Sequence, residues 1–266
     1  MKQKYKIISM DFDGTLLTSD KKISERTKNC LLKLKKQSYL IVGVTARNIL
    51  SAKSVIDLSL FDYIILNNGC DIYYIKEDKV DSISCLDNKI VNDIYNEYKD
   101  ISPQIDFCTA NKYLMRTEEK RDSRPFIVYI KDINEVNEPV SRMNLFFENT
   151  KELNNHKKII EDKYKKVDVI RMVDTDKSNS RLWVTLNPKK INKLNTLKKL
   201  CQELHCTIDD VIFFGDGEND LILIENVGLG VAMGNALDIV KEKASKVTLS
   251  NDNDGIAEFL EKEIGE

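Results

Sequence analysis

Glycine and proline are scarce in this chain of 266 residues, at 10 and 4, and it holds only two histidines and one tryptophan. Lysine, asparagine and isoleucine take their place, a compositional bias without functional content. The six cysteines show no CxxC spacing, which leaves thiol-based motifs without a framework. His156 and His205 are isolated; Cys201, His205 and Cys206 fall within roughly one helical turn but lack a fourth zinc ligand. Neither sign of charge dominates. With 41 basic and 43 acidic side chains the formal net charge is -2, so the chain has no general polyanion-binding surface and nucleic acid is not an expected partner. No apolar run approaches the ~20 residues needed to cross a bilayer, and the opening Met1-Lys2-Gln3-Lys4-Tyr5 has no signal-peptide core. The expectation is a soluble protein of a reducing cytoplasm, with no membrane partner. Internal repeats, low-complexity tracts and heptad runs are also missing.

What is present is 42% apolar residues and a regular alternation through the first third of the chain. Strand-like runs at Tyr5 to Met10, Tyr39 to Val44 and Tyr63 to Leu66 alternate with helical patterns at Ser24 to Gln37 and Asn48 to Leu58. Ser24 is placed to cap the first helix, and Cys30, Leu31 and Leu34 recur at helical spacing. This βαβαβ order predicts a parallel sheet. After Asn67-Asn68-Gly69 the pattern changes to a hairpin, Asp71 to Ile75 and Val80 to Ser84, followed by a helix from Asp87 to Tyr98. Further strands are expected at Tyr113 to Arg116, Phe126 to Ile130, Val167 to Met172 and Leu182 to Leu186, with a helix at Glu152 to Lys165. The alternation then resumes: helix Asn192 to Leu204, strand Val211 to Phe214, helix Asp220 to Glu225, and strands Leu229 to Ala232 and Lys246 to Leu249. A core in two parts, residues 1–84 and 188–266, is thus expected to be interrupted by a separately folding α+β segment, 85–187, sitting over the sheet edge.

Two motifs carry chemistry. Asp11-Phe12-Asp13-Gly14-Thr15-Leu16 follows the apolar run containing Ile7, Ile8 and Met10, so two carboxylates one residue apart are delivered to the end of a buried strand. Gly215-Asp216-Gly217-Glu218-Asn219-Asp220 follows Val211-Ile212-Phe213-Phe214 in the same way. In open parallel sheets ligands bind beyond the carboxyl ends of the strands, so both acidic ends are expected to share one crevice. Gly228, Gly230 and Gly234 are spaced GxGxxxG and start before or within a strand, which excludes a dinucleotide loop. Ser250 to Glu261 places Asp252, Asp254, Gly255 and Glu261 at EF-hand positions, but Ser250 lacks the first carboxylate, so the likeness is chance.

With these residues the chain resembles the haloacid dehalogenase superfamily of phosphohydrolases, and within it the Cof-type branch, subfamily IIB, over its whole length. The resemblance implies an α/β fold: a Rossmann-like parallel-sheet core with an inserted α+β, C2-type cap that selects the substrate. DxDGT matches Asp11, Asp13, Gly14 and Thr15; the Ser or Thr ending the second strand matches Thr45, followed by Ala46 and Arg47; the lysine after the cap matches Lys193, with Lys190 the second choice; GDxxND matches Asp216, Asn219 and Asp220. It implies Mg²⁺ held by Asp11, Asp216 and the carbonyl of Asp13, and phosphate bound by Thr45, Lys193, Asn219 and the N–H groups of Phe12 and Ala46. Asp220 lies in the metal's outer shell, and Asn68 faces the active site. From the residues alone Thr45 is equally a helix cap, Arg47 equally an ion-pair partner, and Asn68 equally a turn residue.

The chemistry implied is hydrolysis of a small phosphate ester, a sugar phosphate or nucleotide-related compound, with Asp11 as nucleophile forming an aspartyl-phosphate and Asp13 as acid and base. A phosphomutase using the same nucleophile and a non-catalytic phosphate sensor are the alternatives; the Asp11 and Asp13 pair speaks against the sensor. Arg116, Arg171, Arg181, Tyr113 and Phe126 are candidate contacts to the leaving group. A monomer or weak homodimer is expected.

Overall fold

The computed structural model describes residues 4–118, 124–173 and 181–264. Its first strand, β1 (Ile7–Met10), is buried at every position. After it come α1 (Glu25–Lys36), β2 (Leu40–Val44), α2 (Ile49–Lys53), β3 (Tyr63–Leu66), β4 (Asp71–Tyr74) and β5 (Lys79–Ser82). Ser24 caps α1 by accepting from the Thr27 N–H, as its position predicts. The helix expected from Asn48 to Leu58 stops at Lys53. Asn48 caps it, and Asp57 then accepts from the Ser59 N–H, drawing the backbone into a separate 3₁₀ turn, Leu58–Leu60.

The middle of the chain supplies α3 (Asn88–Tyr98), β6 (Gln104–Cys108), β7 (Tyr113–Thr117), β8 (Ile127–Ile130), β9 (Arg142–Phe147), α4 (Thr150–Lys163), β10 (Val167–Val173) and β11 (Leu182–Pro188). The final stretch adds α5 (Lys193–Glu203), β12 (Val211–Gly215), α6 (Leu221–Ile224), β13 (Leu229–Ala232), α7 (Asp238–Lys243), β14 (Lys246–Val247) and α8 (Gly255–Glu263). β14 is shorter than expected, because at Thr248 the hydroxyl turns to the Gly255 carbonyl. Glu261 lies inside α8, where it joins Glu258 in pairing with Arg26, which removes the EF-hand likeness.

Among the described residues the strands form two sheets. The first runs β14-β13-β12-β1-β2-β3-β4-β5, parallel through β3 and antiparallel beyond it. The chain winds outward from β1 through β2 and β3 and returns on the other side at β12, so β1 and β12 flank the point where the strand order reverses. That point is where open α/β sheets bind ligands. The second sheet runs β10-β11-β9-β6-β7-β8. Each sheet has its own apolar core, one around Ile7, Ile41, Phe213 and Leu200, the other around Ile94, Phe107, Leu145 and Ile160.

β6 and β9 have no counterpart in the sequence reading. Their apolar positions, Ile105, Phe107, Met143 and Leu145, face α3 and α4, but the alternate positions Asp106, Arg142 and Asn144 are also buried. Both segments alternate polar and apolar residues, the strand period, but alternation predicts a solvated polar face, and here that face is buried too. Those polar groups satisfy one another. Thr185 donates to Asn144 at 3.0 Å, and both Tyr113 (2.5 Å) and Asn144 (3.4 Å) donate to Oδ2 of Asp106. The two sheets are tied where Arg142 donates to Asn67 at 3.1 Å and Ser141 donates to Asp71 at 3.1 Å.

Arg142→Ala leaves the buried Asn67 oxygen unpaired and strips the counter-charge from the region of Asp71 and Asp106, so a loss of about 2–3 kcal/mol is expected in urea unfolding. A change below about 0.5 kcal/mol would show that this network contributes nothing to stability.

Candidate active site

β1 ends at Met10, and the N–H of Asp11 still bonds the Phe214 carbonyl of β12 at 3.0 Å, so Asp11 stays in register at the sheet edge. The chain then turns sharply. Gly14 has φ +78, and a Cβ there would lie 2.3 Å from Oδ2 of Asp216. Glycine is therefore required twice, for the left-handed backbone and for the approach of the second motif's carboxylate. Thr15 fixes that carboxylate by donating to Oδ1 of Asp216 at 2.7 Å.

Lys193 opens α5 and is 2% exposed. Its ammonium donates at 2.7 Å to Oδ1 of Asp11 and at 2.7 Å to Oδ1 of Asp220. The sequence choice between Lys193 and Lys190 is thereby resolved in space: Lys190 is exposed with a left-handed φ of 65, and its N–H bonds Asp168. Asp220 spends its other oxygen on the N–H groups of Asp216 and Gly217, at 3.1 and 3.2 Å, and so shapes the loop that presents Asp216.

Asp11, Asp216 and Asp220 bring carboxylate oxygens within 4.8 Å of one another. Burial pushes Asp11 well above the usual carboxylate range; Lys193 offsets part of this, while Asp220 and Asp216 add to it. Asp216 rises to about 6, again chiefly through burial. Three carboxylates thus face one ammonium, two negative charges in excess in a low-dielectric pocket. The donor set fits Mg²⁺. Its ligands are hard oxygens, and Asp11 and Asp216 each keep one carboxylate oxygen outside the hydrogen bonds just described.

On the other side of the turn Asp13 faces cations. Arg47 grips it as a fork, Nε to Oδ2 at 2.7 Å and Nη2 to Oδ1 at 2.8 Å, and is itself held by donating to the Ser51 hydroxyl at 2.9 Å. Lys21 adds a contact to Oδ1 at 3.0 Å. Burial raises the Asp13 pKa, but the Arg47 hydrogen bonds and charge, with Lys21, outweigh it and hold the group at about 2. Of the two readings open for Arg47, the structure shows the ion pair. No sequence signal in the Lys21 region pointed to its contact; the polar turn Thr18 to Lys22 reads as solvent-exposed loop.

Thr45 is buried, but it does not cap α2. Asn48 does, while the Thr45 oxygen accepts from the Arg47 N–H at 3.1 Å. Ala46 and Asn219 are half-buried near these loops, and Phe12 is wholly buried with its ring against Phe61, leaving only its main chain for binding. Asn67 and Asn68 both have left-handed backbones and precede Gly69, whose φ is 103 and whose Cβ would meet the Asn192 carbonyl at 2.5 Å. This turn wedges between the Thr45 loop, through Asn68 N–H to the Thr45 carbonyl at 3.1 Å, and the start of α5. The Asn68 side chain is buried without a hydrogen-bond partner. In the second sheet Tyr113 and Phe126 pack edge to face, 6.4 Å apart, Arg116 and Arg181 are half-buried, and Arg171 is exposed. The described residues hold no metal-competent group at Cys201, His205 and Cys206, and no helix among them is long and apolar enough to cross a membrane.

The pH dependence follows from Asp216. Its folded value of about 6 exceeds its ordinary 3.8, so its protonated form favours the folded state at low pH, and this contribution is lost as pH rises toward 6. In chelator-treated protein, Asp216→Asn should remove that part of the pH dependence of the thermal midpoint. Adding Mg²⁺ should raise the wild-type midpoint above pH 6 and progressively less below it, as protons compete for the same oxygens. A Mg²⁺ shift that is unchanged at pH 5 would contradict the ligand assignment.

Comparison with known proteins agrees with this geometry. Residues 8–260 match the family of haloacid dehalogenase-like hydrolases. From Bacillus subtilis (strain 168), the 5-amino-6-(5-phospho-D-ribitylamino)uracil phosphatase YitU is 28% identical over 275 aligned positions, covering 98% of this chain and 98% of the relative. The putative phosphatase YxeH of the same organism is 29% identical over 269 positions, covering 96% and 97%. A crystal structure of a haloacid dehalogenase-like hydrolase from Bacteroides thetaiotaomicron superposes with a TM-score of 0.82 at 27% identity, covering 97% of this chain and 99% of that one. With a match that spans nearly the whole chain and both acidic strand ends in one crevice, this protein belongs to the haloacid dehalogenase-like hydrolases.

Proposed function

We propose that the protein is a Mg²⁺-dependent phosphomonoester hydrolase that works through an aspartyl-phosphate on Asp11, with the segment 85–187, whose second sheet ends one residue further at Pro188, as the cap over the reacting group. The observation that carries this reading is the buried Lys193 bridging Asp11 and Asp220 beside Asp216, at the ends of β1 and β12. Lys193 holds one oxygen of Asp11, which leaves the other to attack phosphorus. The new Asp11 oxygen–phosphorus bond forms as the bond to the leaving oxygen breaks, and Asp13 supplies the proton that the alkoxide takes up. Water then attacks phosphorus, Asp13 accepts its proton, and Asp11 and inorganic phosphate are released. When bound between Asp11, Asp216 and the Asp13 carbonyl, Mg²⁺ supplies the positive charge that lets an anionic nucleophile approach an anionic ester.

The ionised Asp13 seen here suits the second half of the cycle. For the first half it must carry a proton, and the negative charge of an arriving phosphoryl group favours that proton against the pull of Arg47 and Lys21, which keep their contacts to the carboxyl group. The Thr45 hydroxyl, the Lys193 ammonium, Asn219 and the N–H groups of Phe12 and Ala46 are the donors for the phosphoryl oxygens. The substrate class proposed is a small sugar phosphate or nucleotide-related ester. The name of YitU, which joins a phosphorylated ribityl group to uracil, agrees with that class.

A Mg²⁺-dependent screen of phosphate esters with wild type and Asp11→Asn tests the mechanism. Wild type should release inorganic phosphate from at least one sugar or nucleotide-related ester, and Asp11→Asn should lose more than about a thousandfold in rate. Equal release by the two proteins would overturn it.

A further inference from the structure

Lys21 is an exposed lysine, its side chain 56% accessible, yet its conformation is tightly specified. Its φ of 58 lies in the left-handed region, which a lysine adopts only against steric cost. Its N–H bonds the Thr18 carbonyl at 2.8 Å, and the Thr18 N–H bonds the Lys22 carbonyl at 2.9 Å, closing a tight turn. Loops far along the chain pin this turn. Both oxygens of Asp252 accept from Ser19, from its N–H and its hydroxyl, each at 2.7 Å. Asn251 donates to the Leu17 carbonyl at 2.8 Å, and Asn235 donates to the Gly14 carbonyl at 2.7 Å while accepting from the Asn251 N–H. Among the described residues, the one partner of the Lys21 ammonium is Asp13. An exposed ion pair on its own is worth too little to repay a left-handed lysine and the ordering of its long side chain. Strain sustained by surrounding bonds at the edge of a reactive site is a mark of function.

We propose that Lys21 is a positioning residue for Asp13, and that the stapled turn exists to hold its ammonium on one carboxyl oxygen so that Asp13 stays aimed at the leaving group. This rests on the hydrolase reading above. Arg47 and Lys21 divide the task. The guanidinium fork, locked by Ser51, sets the plane of the carboxyl group. Lys21 comes from a different loop, the one after β1 rather than β2, and supplies a second, independent anchor. Asp252 acts one step further back, by holding the turn.

The test exploits leaving groups. An alkyl ester needs a proton from Asp13 to depart, whereas p-nitrophenolate leaves without one, so misplacing Asp13 penalises the first and spares the second. kcat/KM reports the steps up to departure of that group. In Mg²⁺ buffer, Lys21→Met should lower kcat/KM about tenfold or more for glycerol 2-phosphate and less than about threefold for p-nitrophenyl phosphate, within the range that acid catalysis contributes. Lys21→Gly, which relieves the left-handed backbone and keeps the fold, should show the same selective loss, and Lys21→Arg should recover most of the activity. Asp252→Ala should give a weaker loss of the same selectivity that does not add to that of Lys21→Met. An equal loss on both esters would overturn the proposal, since it would mean that Lys21 only attracts the phosphoryl dianion. Unchanged kcat/KM on both esters in the Met and Gly variants would overturn it as well. A wild type that releases inorganic phosphate from neither ester nor from any member of the sugar and nucleotide-related screen would instead bring down the hydrolase reading, and this assignment with it.

Discussion

One buried ammonium organises this molecule. Lys193 sits almost wholly out of water between Asp11 and Asp220, and burial alone would drive its proton off. The two carboxylates reverse that, raising its affinity for the proton above the ordinary range, so the lysine stays charged. Each carboxylate is in turn tolerable only because the lysine is there. Removing the lysine leaves two carboxylates uncompensated in an apolar surround. The three residues come from the end of β1, the start of α5 and the loop after β12, so this ion triad fastens the two halves of the core where the chain returns from the second sheet.

Around that triad the charge separates into two halves. On the side of Asp11, Asp216 and Asp220 the carboxylates outnumber the lysine by two, which suits a divalent cation. On the side of Asp13 the balance is reversed, with Arg47 and Lys21 outnumbering one carboxylate by one. The crevice is thus divided into a carboxylate-rich half and a cation-rich half. The loops that create this split are held by few but specific contacts: Gly14 against Asp216, the Asn67 to Gly69 turn against Asn192, and the Asn235, Asn251 and Asp252 staples.

The second sheet is built on a different principle. Its helix-facing side is an ordinary apolar core, but its other side buries Asp106, Asn144 and Thr185 in mutual hydrogen bonds, with Arg142 buried beside them and bonded to Asn67. Such a face is stable only when every partner is in place, and it commits the strands to one register. The contacts from Arg142 to Asn67 and from Ser141 to Asp71 carry that register across to the first sheet.

The strands and helices that alternate in a simple apolar rhythm were legible in the sequence, because β1, β2, β3, β12 and β13 are buried on both faces and α1, α3 and α5 show helical spacing. The acidic ends of β1 and β12 were legible too, since their meeting follows from parallel-sheet topology alone. Strands β6 and β9 carry the alternating polar and apolar period of a strand yet were not read as strands; what that period cannot show is that their polar face is buried and paired in the fold. The sequence alone therefore determined the parallel core, the inserted segment and which residue types crowd the crevice. Tertiary structure decided which lysine fills it, that Arg47 grips Asp13 and that Lys21 joins it, because those choices depend on distances between loops separated by tens to hundreds of residues, which no local periodicity encodes.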